Sequence, residues 1–172
     1  APDTPVFILH LYGRALLNRA ALKAVGIGRE TADPPGGEIE RDAAGNPTGM
    51  LIARPSALIL YSTLAKGPVL PMEERVNSTR HFMRELNRLG VTSVIDAGGG
   101  GQNHPEDYDV IERLHAAGEL TVRVAYNLFA QKAGSEKSDY ERWIAMTEPG
   151  AGDEMLRMNG AGENLSWSAA DF

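Results

Sequence analysis

The feature that most constrains this chain is a regular alternation beginning at Pro71, in which helix and strand signals follow one another with only short joints between them. Met72, Val76, Thr79, Phe82, Met83, Leu86 and Leu89 recur at helical spacing, with Pro71 near the first helical position and Gly90 at the C-cap. Val91 to Ala97 is a short β-branched run that ends in the glycines Gly98 to Gly101 and reads as a buried strand. Pro105 to Ala117 forms a second helix, closed by Gly118. Leu120 to Phe129 then alternates, with Leu120, Val122, Val124, Tyr126 and Leu128 on one face and Thr121, Arg123, Ala125, Asn127 and Phe129 on the other. A third helix over Ser138 to Thr147 carries Tyr140, Trp143 and Ile144, and Met155 to Asn159 is the last strand. Elements in this order predict a parallel βαβαβ ladder with right-handed crossovers.

Two architectures contain such a ladder. A doubly wound sheet has helices on both faces, so its central strands are apolar throughout, whereas a closed barrel points one side of each strand inward and tolerates polar side chains there. Arg123 and Asn127 on one face of the middle strand favour the barrel. A complete (β/α)8 barrel needs roughly 200 residues or more. The expected fold is therefore α/β: one domain forming part of a (β/α)8 barrel, with the ladder over residues 71–160 and a β-hairpin insertion over residues 36–53.

The stretch before the ladder supplies that hairpin and one further strand. Val6 to Leu11 is a mostly apolar run that reads as a buried strand ending on Tyr12 and Gly13. Leu16, Leu17, Ala20, Ala21, Lys23 and Ala24 predict a helix, with Gly26 as its C-cap. Tyr12, Gly13, Arg14 and Asn18 are thus expected where a strand hands over to a helix, a usual place for sites in α/β folds. Glu38 to Arg41 and Met50 to Ala53 flank a breaker cluster, Asp42 to Pro47, and predict a hairpin, and Ala57 to Leu64 predicts a short linking helix.

Composition excludes several chemistries. The 172 residues carry a formal net charge of -6 with no run of Lys or Arg, which argues against nucleic acid or an anionic membrane as partner and fits a small-molecule substrate. With no cysteine there is no thiolate nucleophile or thiolate metal site. No apolar run approaches the ~18 residues that span a bilayer, and a cytoplasmic location is expected. The ends, APDTPVF and SWSAADF, read as cut, so the chain is expected to be a piece of a longer protein.

Three segments together point to a family. YGRALLNRAALKAVGI, then DPPGGEI followed by RD and GNPTGML, then LGVTSVIDAGGG resemble the amidohydrolase superfamily, in the family 3 branch of N-substituted formamide deformylase-like and YtcJ-like proteins. The hairpin from DPPGG to GNPTG is the most specific part. The resemblance implies a metal-dependent hydrolase in which zinc or another divalent metal activates water against an amide-type C–N bond. It also implies a first-strand His-x-His pair, yet His10, His81, His104 and His115 contain none, so that pair is expected upstream of residue 1. Where relatives carry a metal-bridging lysine, this chain reads MNGAGENL at Met158 to Leu165, with Glu163 the nearby side chain able to ligate a hard cation. The parent is therefore expected to be a hydrolase and the chain alone to be inactive and without metal.

Candidate residues follow from these placements. Glu163 is a catalytic candidate, as a bridging or water-activating carboxylate. Tyr12, Arg14 and Asn18 at one strand end, and Asn127 and Gln131 at another, are substrate-binding candidates, with Arg14 suited to a substrate carboxylate. Asp96 is weighed between orienting a ligand and bonding its own turn. His81 and His115 are read as surface or packing residues, and His104 as a loop residue near the barrel mouth. The glycine run lacks the spacing of a phosphate loop. Half a barrel leaves strand edges open, which predicts a homo-oligomer. The rival reading is a non-catalytic α/β binding or interaction domain on the same scaffold.

Overall fold

A computed structural model describes residues 2–98, 103–130, 132–163 and 165–166. The chain divides into two units, one up to Val69 and one from Leu70.

The first unit is built on a four-stranded antiparallel sheet in the order β1-β2-β4-β3. Its strands are β1 (Phe7–His10), β2 (Arg14–Leu17), β3 (Gly37–Arg41) and β4 (Pro47–Ala53), with helices α1 (Arg19–Ala24) and α2 (Leu58–Leu64). Ala15, Leu17, Ile39 and Leu51 turn to one face and join Ala21, Ile59 and Leu60 in the core. Gly49 is required where β4 crosses β2, because a Cβ there would lie 2.2 Å from the Leu17 carbonyl oxygen.

This arrangement corrects the expectation for the N-terminal segment. Phe7 pairs with Leu17 and His10 with Arg14, so the run from Val6 folds back on itself as an antiparallel hairpin and does not join the parallel ladder. Ala15 and Leu17 are buried and Leu16 is exposed, a period of two, whereas the same three apolar residues also satisfy a helical stripe in so short a run. The helix begins only at Arg19. Tyr12 and Gly13 therefore form a hairpin turn, entered through Leu11 at φ 51°, and Arg14 opens β2. Ile8 is 56% exposed, so β1 is an edge strand open on one face rather than a buried one.

The β3–β4 hairpin lies where expected. The Asp42 carboxylate accepts from the Ala44 and Asn46 amides at 2.9 and 2.8 Å, and these bonds hold its carboxyl below the usual carboxylate range. Asp33, from the DPPGG segment, accepts from the Ile39 amide at 3.1 Å and from Arg41 at 2.8 Å. The hairpin is thus tied to the loop before it by its own side chains.

The second unit carries the ladder: α3 (Met72–Arg88), β5 (Ser93–Asp96), α4 (Asp109–Ala116) entered through a 3-10 turn, β6 (Arg123–Leu128), α5 (Glu136–Met146) and β7 (Leu156–Ala161). The strands are parallel in the order β5-β6-β7. Glu73 and Glu74 in the first turn of α3 and Arg88 in its last complement the helix dipole. Met83, Val110 and Leu114 pack with Val94, Val124 and Leu156, while Trp143 and Tyr140 of α5 pack with Tyr126, Leu128 and Met158. All three helices therefore lie against one face. Side chains of the other face, Ser93, Ile95, Arg123, Arg157 and Asn159, are exposed.

Candidate functional site

The C-terminal edge of the parallel sheet gathers most of the polar side chains that the ladder places together. At the end of β5, Asp96 accepts from the Gly98 amide at 3.1 Å and from the Tyr108 hydroxyl at 2.9 Å. Tyr108 is buried, and its burial together with the Asp96 charge pushes the hydroxyl well above its ordinary pKa. Asp96 thus bonds its own turn, as a strand-end aspartate does, and also anchors the following 3-10 turn through Tyr108.

At the end of β6, Asn127 is half-buried while Phe129 and Ala130 are buried. A register shift between β6 and β7 falls at this level, where Tyr126 pairs with Met158 and Asn127 with Gly160. Asn159 is the additional residue, and its Nδ2 donates to Asn127 Oδ1 at 3.0 Å. Sequence reasoning named Asn127 but not Asn159. The signal for Asn159 is the bulge, which exists only once β7 is aligned on β6.

The chain leaving β7 closes this edge. The Gly162 amide donates to the Leu128 carbonyl and the Glu163 amide to the Ala97 carbonyl, both at 2.6 Å. A Cβ on Gly162 would sit 2.5 Å from the Ala97 oxygen and 3.2 Å from the Leu128 oxygen, so only glycine fits between the ends of β5 and β6. The exposed Glu163 is held at the rim by its backbone. Below the rim, the exposed sheet face forms a depression of about 690 Å³ that runs from Arg123 and Arg157 up to Asn159.

The other candidates occupy different settings. Asn18 caps α1, accepting from the Ala21 and Val6 amides at 2.9 and 3.0 Å and donating to the Thr4 carbonyl at 2.8 Å. Its amide binds local backbone. Tyr12 and Arg14 are exposed on the β1–β2 hairpin, with the Tyr12 ring 6.3 Å from Tyr61. Neither stands at the end of a parallel strand. Gln131 lies outside the described residues.

His104 lies in the turn before the 3-10 segment, as expected, but is buried there. Only 7% exposed, it stacks on Tyr126 at 5.9 Å and meets Trp143 edge-on at 6.5 Å, and the Trp143 indole N–H donates to its carbonyl at 3.3 Å. Burial holds its ring below the ordinary histidine pKa, and Nδ1 has no hydrogen-bond partner among the described residues. His115 reaches Asp153 at 2.8 Å. The Asp153 carboxyl is held down to about 2, chiefly by the Met155 and Leu156 amides and then by His115.

Among the described residues, no three His, Asp or Glu side chains converge in a way that holds a metal ion. Asp96 and Glu163 are the carboxylates that the described residues bring to this rim. No described helix is long and apolar enough to cross a membrane.

The amidohydrolase family model matches residues 1–172, end to end. The chain belongs to the amidohydrolase family. Within it, the family 3 branch is the one shared with its relatives. An N-substituted formamide deformylase of Arthrobacter pascens is 36% identical over 121 residues, which cover 70% of this chain and 22% of that protein. YtcJ of Bacillus subtilis (strain 168) is 48% identical over 60 residues, covering 34% of this chain and 11% of that protein. An uncharacterized metal-dependent hydrolase from Pyrococcus horikoshii OT3 shares the fold at a TM-score of 0.55 and 17% identity, covering 92% of this chain and 28% of that structure. This amidohydrolase chain therefore spans well under a third of the length of these relatives.

Proposed function

We propose that this amidohydrolase chain is the central part of a (β/α)8 barrel that hydrolyses an amide-type C–N bond of a small molecule. The observation that carries the reading is the one-sided packing of the ladder. Helices on a single face, with Arg123, Asn127, Arg157 and Asn159 on the other, match a barrel wall and its polar interior, whereas a doubly wound sheet would have both faces covered. In a barrel of this kind, sites form where the strands end. Here that edge holds Asn127, Asn159 and Glu163.

In this reading the divalent metal, zinc by resemblance, belongs to the complete protein. This chain supplies the wall, the substrate-facing carboxamides and Glu163 as general base. The family membership supports the metal-dependent class, and the deformylase relative supports N-substituted formamides as substrates. The chain alone is proposed to be inactive, and the open edge of β5 to promote self-association, the outer edge of β7 being bonded by Gly150, Ala151 and Asp153. A monodisperse monomer in light scattering would count against that last point.

The test is hydrolysis of N-formyl and N-acetyl amines by the full-length protein. Turnover should disappear with a chelator and return with a divalent metal, and Glu163→Gln should lower kcat by about 100-fold or more. Absence of amine release with every metal supplied overturns the proposal. One tightly bound zinc on the 172-residue chain would overturn the claim that its own site is incomplete.

A further inference from the structure

The bulge between β6 and β7 does more than interrupt a ladder. A bulge re-aims the side chain it carries, and here it lays Asn159 beside Asn127 on the exposed face, joined by a single bond of 3.0 Å. A carboxamide offers two N–H donors and one oxygen with two lone pairs. The reciprocal bond is not formed, so Asn127 keeps both its N–H groups and Asn159 keeps its oxygen. Exchanging oxygen and nitrogen on both residues reverses the bond and still leaves one free oxygen and free N–H groups.

That complement selects a chemistry. A carboxylate or phosphate placed against the pair meets an oxygen it cannot bond, and an ammonium meets N–H groups. A neutral group that presents an N–H and a carbonyl on one edge, as a cis or cyclic amide does, satisfies both members at once. Asn127 is half-buried and Asn159 exposed, so the free groups are reachable. Ala125, the next residue down the same face of β6, leaves the depression open beneath them. Both asparagines sit on strands, which hold side chains more rigidly than loops do.

We infer that the Asn127–Asn159 pair recognises the cis-amide edge of a neutral small molecule, Asn159 accepting its N–H and Asn127 donating to its carbonyl. The inference rests on the proposed hydrolase reading and names the amide geometry, N–H and carbonyl on one edge, that the site selects. It is read by binding alone. The 15N-labelled chain is titrated with 2-pyrrolidinone, whose ring presents N–H and carbonyl on one edge, and separately with γ-butyrolactone, the same ring without the N–H.

The side-chain amide signals of Asn127 and Asn159 should shift with the lactam, and the lactone should bind at least about tenfold more weakly. Asn127→Asp still accepts the bond from Asn159 but has no N–H to offer, and it should abolish the lactam response. Asn159→Leu, which removes the acceptor, should do the same where Asn127→Asp does not fold. Equal responses to the two rings, or none at these side chains in the wild type, overturn the inference. Hydrolysis by the full-length protein together with a flat titration refutes the role of the pair alone. Lactam selectivity without hydrolysis refutes the proposed function alone.

Discussion

The two sheets of this chain leave opposite chemistries uncovered. In the antiparallel sheet, Ile8 stands opposite Leu16 and Leu16 opposite Met50, so the outward face carries an apolar row across three strands, with Ile8 56% and Leu16 46% exposed. In the parallel sheet the corresponding face carries arginines and asparagines, with Ile95 its exposed large apolar side chain. The first face is what a packing surface looks like. The second suits contact with water or ligand. The family-identifying hairpin lies in the first sheet, where Asp33, Arg41 and Asp42 spend their bonds on the backbone and on each other. A motif can thus identify a family through residues that build the scaffold rather than perform the chemistry.

The strongest way to break this contrast is through the core of the first sheet. Leu51 is fully buried among Ala15, Leu17 and Ile59. Leu51→Ala should cost about 2–5 kcal/mol in urea unfolding followed by circular dichroism. A loss under about 1 kcal/mol would mean that this sheet is not packed as described.

The rim of the second sheet should respond next. Gly162→Ala forces a Cβ against the Ala97 and Leu128 carbonyls and should destabilise by roughly 1–3 kcal/mol. Gly160→Ala, two residues earlier, meets nothing within 4 Å and should stay within about 0.5 kcal/mol of the parent. Equal melting shifts for the two variants would show that the rim is not clamped at Gly162.

The smallest effect sharpens the comparison through acid. Burial lowers the folded-state pKa of His104, against the opposing pull of Glu112 and Glu106 and with some help from Arg142. The unfolded chain therefore binds the proton first. Stability is intact above the ordinary histidine pKa of about 6.5 and declines as pH falls from there toward the lower folded value. Comparing melting temperatures at pH 7.5 and 5.5, the parent should lose more than His104→Phe, which keeps a ring in place without titrating. A variant as acid-sensitive as the parent would remove His104 from the account.

Much of the ladder was legible in the sequence. Helix α3 announced itself because its apolar positions, leading Pro71 and closing Gly90 all agree, and the Asp42 turn did so because its chemistry is local. The β1–β2 hairpin was not legible, since Ala15, Leu16 and Leu17 fit either a period of two or a helical stripe, and only pairing with β1 and β4 decides. His104 reads as a loop residue because its burial depends on Tyr126 and Trp143, which lie far along the chain. For the candidate residues, only their positions along the strands were legible. Asn127 lies near the end of β6 and Glu163 just past the end of β7, whereas the contact of Asn159 with Asn127 depends on a register that no single strand encodes.

The bond from the Glu163 amide to the Ala97 carbonyl joins the ends of the first and last parallel strands, with α4, β6, α5 and β7 between the two residues. Contacts that close so long a loop form only after the intervening segments have docked, because their entropic cost is met by packing already in place. The rim is therefore the last part of this sheet to assemble and the first to open. A substitution anywhere from α4 to β7 that loosens the stack should reach Glu163 before it unfolds the strands, as faster amide hydrogen exchange at Gly162 and Glu163.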